Sequence, residues 1–243
     1  MIDLHGHYLP GLDDGPADLA TAVAMCRLAA EDGCGTVVVT PHLRRDEWPE
    51  VSPARIAAAV AALQAAVGPA PQLLAGAEIR VDSELLADLD APGKLLPLGG
   101  SRALLLELDP WGLGPDPVEL ARELRLAGWI PVVAHPEHTP FLGEEAGLVE
   151  RIVEAGARLQ VTAASLLGEA GRWARERARE LVDAGLATLV ASDAHGVDWR
   201  PPGLARARAE VARAWGEERA VQLFDEAPAA LLAAPAPPLG GAA

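Results

Sequence analysis

Five of the six histidines and four carboxylates stand where short apolar runs end. They are His5, His7, Asp14, His42, Glu78, Glu107, His135, Asp193 and His195. Several sit in compact phrases: Asp3-Leu4-His5-Gly6-His7, Pro41-His42, Ala134-His135-Pro136 and Ser192-Asp193-Ala194-His195. Imidazole and carboxylate without thiolate suit manganese, iron or zinc better than magnesium. Nine such donors are enough for two or three divalent ions, at roughly three to five protein ligands each. Paired ions lower the pKa of a shared water and offset charge on the oxygens of an in-line displacement. Phosphoester hydrolysis is therefore the leading chemistry, with amide hydrolysis behind it.

One at a time these residues carry little weight. A His-x-His pair on a strand is common, and a Glu at a strand end can be a cap or half of an ion pair. Together they are costly, because buried carboxylates gathered at one place repel unless cations offset them.

Bringing them together takes a repeat. Apolar β-rich runs over 1–7, 36–42, 72–79, 103–108, 130–135, 158–163 and 187–192 alternate with helical patterns. The helical stretches cover 17–31, 53–67, 117–127, 145–155 and 168–184, with only a short helix expected near 83–87. Unbroken apolar runs are the mark of parallel strands buried on both faces. Pro53 and Pro117 fall at helix starts, and Gly33, Gly128, Gly156 and Gly185 just past helix ends. Seven βα units predict an α/β fold with a parallel sheet closed into a barrel, all nine donors lying on its C-terminal rim. Segments 204–215 and 216–232 read as closing helices. One domain over 1–232 and a disordered Ala/Pro/Gly-rich tail over 233–243 are expected.

A chain of 243 residues can bury a sizeable core. Its net charge of −15 argues against a nucleic-acid or anionic-membrane partner. No apolar run approaches about 18 residues, so no membrane insertion and a cytoplasmic location are expected. Cys26 and Cys34 are expected to be free thiols. Neither starts the Cys-x5-Arg pattern of a thiolate phosphatase, since Asp32 and Thr40 occupy the arginine position. The one lysine, Lys94, sits in a loop, which counts against a carboxylated-lysine amidohydrolase. No glycine-rich phosphate loop follows a strand. Trp48, Trp111 and Trp199 follow donor-bearing runs, where loop packing is expected and stacking on an aromatic substrate is the alternative.

The opening Met1-Ile2-Asp3-Leu4-His5-Gly6-His7-Tyr8-Leu9-Pro10-Gly11-Leu12-Asp13-Asp14-Gly15-Pro16 closely resembles that of PHP-superfamily bacterial tyrosine-protein phosphatases of the CpsB/CapC type. The resemblance continues through Thr40-Pro41-His42, Gly76-Ala77-Glu78, Leu106-Glu107-Leu108 and Ala134-His135-Pro136-Glu137. It then runs through Gln160-Val161-Thr162-Ala163-Ala164-Ser165 and Ala191-Ser192-Asp193-Ala194-His195. It implies a distorted (β/α)7 barrel of the PHP type. It also implies a manganese-supported trinuclear site with these nine ligands, Glu78 bridging. The implied substrate is phosphotyrosine on the tail of a tyrosine kinase controlling capsule or exopolysaccharide synthesis, with Asp193 among the catalytic groups. Arg200, in Val197-Asp198-Trp199-Arg200, matches the family's phosphate-binding arginine.

One phrase departs from the family. Its usual His-Pro-Glu-Arg is here His135-Pro136-Glu137-His138. A neutral imidazole offers one donor where a guanidinium offers several. His138 could bind phosphate as a cation or act as an acid toward the leaving oxygen. Alternatively, Arg44 or Arg45 could supply the lost charge. A small-molecule phosphatase of the same superfamily, acting on histidinol phosphate or a sugar phosphate, is the alternative function.

Overall fold

The computed structural model describes residues 1–89, 91 and 93–236. All nine strands it contains are paired in parallel, in two sheets. β1 (Ile2–Asp3), β2 (Thr36–Val39) and β4 (Gln72–Ala75) form the smaller, in the order β1-β2-β4. The larger runs β3 (His42–Leu43), β5 (Glu78–Arg80), β6 (Ala103–Glu107), β7 (Ile130–Ala134), β8 (Arg158–Thr162) and β9 (Ala187–Ala191). The α/β class and the parallel pairing are as the sequence predicts, but the strands form two sheets rather than the single closed one expected. Pairing between the two outermost segments is reduced to the single parallel bridge Gly6–Ala194.

Two expected strands are each split, and the splits shape the site. The run 36–42 breaks at Thr40-Pro41, where proline has no N–H for the ladder. The run 72–79 breaks beside it, at Gly76-Ala77. The breaks stay in step: the Gly76 amide donates to the Val39 carbonyl at 2.9 Å, and the Glu78 amide to that of Pro41 at 3.1 Å.

Helices α1 (Leu19–Glu31), α2 (Pro53–Val67) and α3 (Pro117–Leu126) start where capping chemistry puts them. The Asp18, Ser52 and Asp116 side chains accept first-turn amides, and Pro53 and Pro117 occupy first-turn positions that need no donor. α4 (Leu148–Glu154), α5 (Ala163–Leu167), α6 (Arg172–Asp183) and α7 (Leu204–Trp215) follow. The helix expected near 83–87 is instead a run of turns, its Asp82 carboxylate taken by the Glu84 amide and by Arg44. The closing segment divides into α8 (Glu217–Val221), a π-helical turn over Gln222–Glu226 and α9 (Ala227–Leu232). Pro228 explains the division, because it cannot donate to the Phe224 carbonyl four residues back. Part of the expected tail is also placed: the Arg102 amide donates to the Ala234 carbonyl at 2.9 Å and Ser101 bridges Pro235. Residues 237–243 lie outside the described residues.

The strands sort their side chains by alternation. Leu104, Leu106, Val133, Val37 and Val39 join the core beneath the helices. Their neighbours Leu105, Ala103, Val132, Ala134, Val38 and Leu189 form a second, smaller core with Leu4, Leu98 and Leu231. Continuing the same alternation, Val38 leads to His42, Leu105 to Glu107 and Leu189 to Asp193. The smaller core is thus the floor on which the donors stand. Gly76 marks how tightly that floor is filled: a Cβ there would lie 2.8 Å from Val38 Cγ1 and 3.1 Å from Leu98 Cδ2. Gly76→Ala is expected to lower stability by about 1–3 kcal/mol. Urea unfolding checks this, and an unchanged midpoint would contradict it.

Candidate metal centre

His5 and His7 leave β1 with their rings fixed from outside. Gln160, on β8, donates its amide Nε2 to the Val161 carbonyl at 3.0 Å, which turns its Oε1 toward His5 Nδ1 at 2.8 Å. His5 therefore donates from Nδ1 and keeps its Nε2 lone pair facing inward. His7 Nδ1 meets Asp13 Oδ2 at 2.6 Å with the same consequence. The Nε2 atoms of both rings are buried without a hydrogen-bond partner among the described residues. Buried lone pairs left open by deliberate outer bonds are what a bound cation requires.

Glu78 stands at the meeting point. Its Oε1 lies 2.7 Å from His135 Nε2; its Oε2 lies 2.9, 3.4 and 3.5 Å from His42 Nδ1, His7 Nε2 and His5 Nε2. Burial opposes its charge, yet the surrounding His5, His135 and His42 hold this carboxyl well below the usual carboxylate range. Asp193 Oδ1 lies 3.4 Å from His5 Nε2 and 3.6 Å from His7 Nε2. Asp14 Oδ1 lies 3.4 Å from His195 Nε2 and 3.6 Å from His42 Nε2. Two donors about 2.1 Å from a shared ion at a tetrahedral angle are themselves roughly 3.4 Å apart. The contacts of 3.4–3.6 Å fit that case, while those of Glu78 with His135 and His42, at 2.7 and 2.9 Å, have hydrogen-bond lengths.

The donors fall into four overlapping groups, each with its ligand atoms within 4.8 Å of one another. They are His7, Asp14, His42 and His195; His5, Glu78 and His135; His5, His7 and Asp193; and His42, Glu78 and Glu107. All nine sequence-derived donors are included. His5, His7, His42 and Glu78 each belong to more than one group, so the groups form one connected cluster. The residues present therefore fit a multinuclear centre of divalent ions.

The backbone is bent to build it. His135, Asp193 and Arg200 have φ of 32°, 53° and 49°, a region costly for non-glycine residues and frequent at functional sites. Strand ends meet here as well: the Asp193 amide donates to the His5 carbonyl at 2.9 Å, and Ser192 gives both its amide and its hydroxyl to the buried Asp3. The cluster opens into a cavity of about 840 Å³ whose wall includes Arg45, His138, Trp199 and Arg200. Arg200 pairs with Asp193 and reaches His195 Nε2 at 3.3 Å. His138 hydrogen-bonds Ser165 Oγ at 3.0 Å; burial, with His135 and Arg200 nearby, lowers its pKa.

The arginines after His42 divide. Arg44 turns to Asp82 and Asp88 and is absent from the cavity wall, whereas Arg45 pairs with Glu107 on it. The tryptophans divide too. Trp48 stacks on His42 at 5.1 Å and 5°. Trp199 lines the cavity at 63% exposure, and Trp111, 71% exposed, does not. Loop packing thus does not describe Trp111 or Trp199. Cys26 and Cys34 are free and buried, as expected.

Sequence reasoning passed over Asp13 and Gln160, the two groups that orient His7 and His5. Both left a trace: Asp13 adjoins Asp14, and Gln160 is an amide inside a β-rich run. It gave no part to Thr162 and Ser165, which join Glu137 to His138.

An α/β protein with parallel strands and a connected cluster of imidazoles and carboxylates at their C-terminal ends defines the class. Residues 1–233 match the CpsB/CapC family of capsular polysaccharide synthesis, and the chain belongs to that family. It is 37% identical over 204 residues to the tyrosine-protein phosphatase YwqE of Bacillus subtilis, covering 82% of this chain and 79% of that one. It is 30% identical over 234 residues to the tyrosine-protein phosphatase CpsB of Streptococcus agalactiae, covering 93% and 96%. A crystal structure from a study of YwqE from Bacillus subtilis and CpsB from Streptococcus pneumoniae, described as metal-dependent tyrosine phosphatases, superimposes with a TM-score of 0.89. That match has 34% identity and covers 96% of this chain and 94% of the other.

The cluster makes metal binding pH-dependent. Burial disfavours a charged His7, but the neighbouring Asp13 and Glu78 carboxylates outweigh it and push its pKa up to about 10. Without metal, protonated His7 stabilises the fold below its unfolded value of 6.5, a contribution lost as pH rises through about 10. A cation needs the neutral ring, so binding near pH 7 must release on the order of one proton from His7. Titration calorimetry of metal-free protein in buffers of different ionisation heat measures the release. Identical heats in every buffer would contradict this linkage.

Proposed function

We propose that this chain is a metal-dependent protein-tyrosine phosphatase acting on a tyrosine kinase of capsule or exopolysaccharide synthesis. The observation that carries the proposal is the connected donor cluster around Glu78, open to a cavity walled by Arg200. The names of the relatives supply the substrate class. In this reading residues 1–232 are one domain, a distorted (β/α)7 barrel of the PHP type in the cytoplasm. The Gly6–Ala194 bridge between its first and last strand stations supports the barrel. His5, His7, Asp14, His42, Glu78, Glu107, His135, Asp193 and His195 would hold three ions, manganese foremost, with Glu78 shared between them.

When bound, such ions supply Lewis acidity that makes water a nucleophile at neutral pH and offsets phosphoryl charge. The rest is the work of this chain's side chains. Arg200 is braced on Asp193, so its fork is oriented before a phosphoryl group arrives. Asp193 thereby has two tasks, donor in the cluster and anchor of the arginine. Trp199 offers an indole at the cavity wall where a tyrosyl ring would enter. A phenol with pKa near 10 leaves without strong acid help, so a neutral His138 is adequate beside it.

Two measurements test the proposal. Manganese-loaded protein is expected to prefer a phosphotyrosyl peptide over histidinol phosphate, both assayed side by side. Preference for the small ester would move the substrate to the small-molecule class and leave the cluster intact. Arg200→Ala is expected to lower kcat/KM by about 10²–10³-fold at unchanged metal content. Near-wild-type turnover would remove Arg200 from the reaction.

A further inference from the structure

The hydrogen bonds behind His138 run in one direction. Glu137 is fully buried, and its Oε1 accepts the Thr162 amide at 2.7 Å and the Thr162 hydroxyl at 3.0 Å. With its proton committed to a carboxylate oxygen, Thr162 Oγ1 can only accept from Ser165 Oγ, 2.7 Å away. Ser165 has then spent its own proton and can only accept from His138 Nε2 at 3.0 Å. The proton of a neutral His138 is therefore on Nε2, directed at Ser165. What remains for the cavity is the Nδ1 lone pair, an acceptor. A phosphoryl oxygen needs the reverse.

Arg45 offers what position 138 does not. It lines the same cavity and gives one donor, Nη2, to Glu107 Oε1. Its Nε is buried without a hydrogen-bond partner among the described residues. A guanidinium has five donors in a fixed fork, so Arg45 has capacity to spare. Its placement mirrors that of Arg200. Arg200 reaches His195, whose ring is 4.0 Å from His7, which in turn is 4.6 Å from His42. His42 Nδ1 is 3.8 Å from Glu107 Oε2, and Arg45 holds the other oxygen of that carboxylate. Each arginine is thus anchored on one carboxylate of the cluster, at opposite ends of a row of three imidazoles. Of the other cavity arginines, Arg206 is tied to Glu169 at 2.7 Å on the surface.

We infer that Arg45 is the second phosphoryl-holding cation of this site, and that it compensates for the histidine at position 138. The inference rests on the phosphatase reading for its substrate, but it can be tested without turnover. Arg45→Gln, His138→Arg and the double variant are loaded with manganese, and their metal content is measured. Orthophosphate affinity is then determined by calorimetry and kcat/KM on a phosphotyrosyl peptide by assay. Loss of a charge-assisted bidentate contact should weaken orthophosphate binding and lower kcat/KM by about ten- to a hundredfold in Arg45→Gln. Adding His138→Arg to that variant should recover most of both. Unchanged phosphate affinity in Arg45→Gln overturns the inference. So does lost metal without rescue by His138→Arg, which would make Arg45 only a brace for Glu107. A wild-type protein inactive on the peptide overturns the phosphatase reading, and the orthophosphate titration then decides Arg45 by itself.

Discussion

A single carboxylate governs this structure: Glu78, buried, within 3.5 Å of nitrogens from His5, His7, His42 and His135. A lone buried charge is unfavourable, and imidazoles that face one another cannot all be protonated. Hydrogen bonds from outside settle the competition. Gln160 and Asp13 hold one proton each on the outer nitrogens of His5 and His7, so the inner nitrogens, once His7 has given up its second proton, turn lone pairs to the space that Glu78 and Asp193 fill with negative charge. Such an assembly has the lone pairs and the negative charge that divalent cations would balance.

The fold is arranged around that requirement. Regular pleating carries side chains of the small inner core upward to His42, Glu107 and Asp193, and deliberate irregularities carry the rest. The paired breaks at Thr40-Pro41 and Gly76-Ala77 let His42 and Glu78 face each other at 2.9 Å. Positive φ at His135 turns inward a residue that straight continuation from Val133 would send toward the outer core. Asp3 ties the first strand to Ser192 beyond the last, so the first and last strands register the cluster between them.

That these nine residues come together was legible in the sequence because most obey a local rule, an apolar run ending in a ligand-type residue; Asp14, in the loop after the first strand, does not. Helix starts were legible through Pro53 and Pro117, while their Ser52 and Asp116 caps emerged only in the structure. What stayed hidden depends on contacts across the fold. Gln160 meets His5 across 155 positions, and nothing near either residue announces it. Arg44 and Arg45 are chemically equal neighbours, and only a left-handed turn at Arg44, with φ of 71°, sends one to Asp82 and leaves the other at the cavity. The direction of the bonds behind His138 needed Glu137, Thr162 and Ser165 placed together, which adjacency in sequence cannot show.

The cluster's purpose is tested most directly by anomalous diffraction from crystals grown with manganese. Three peaks are expected, each about 2.0–2.3 Å from donors of the four groups, with the Glu78 oxygens shared. Peaks outside these groups, or none at full occupancy of a competing site, would contradict the assignment of the nine donors as a metal centre.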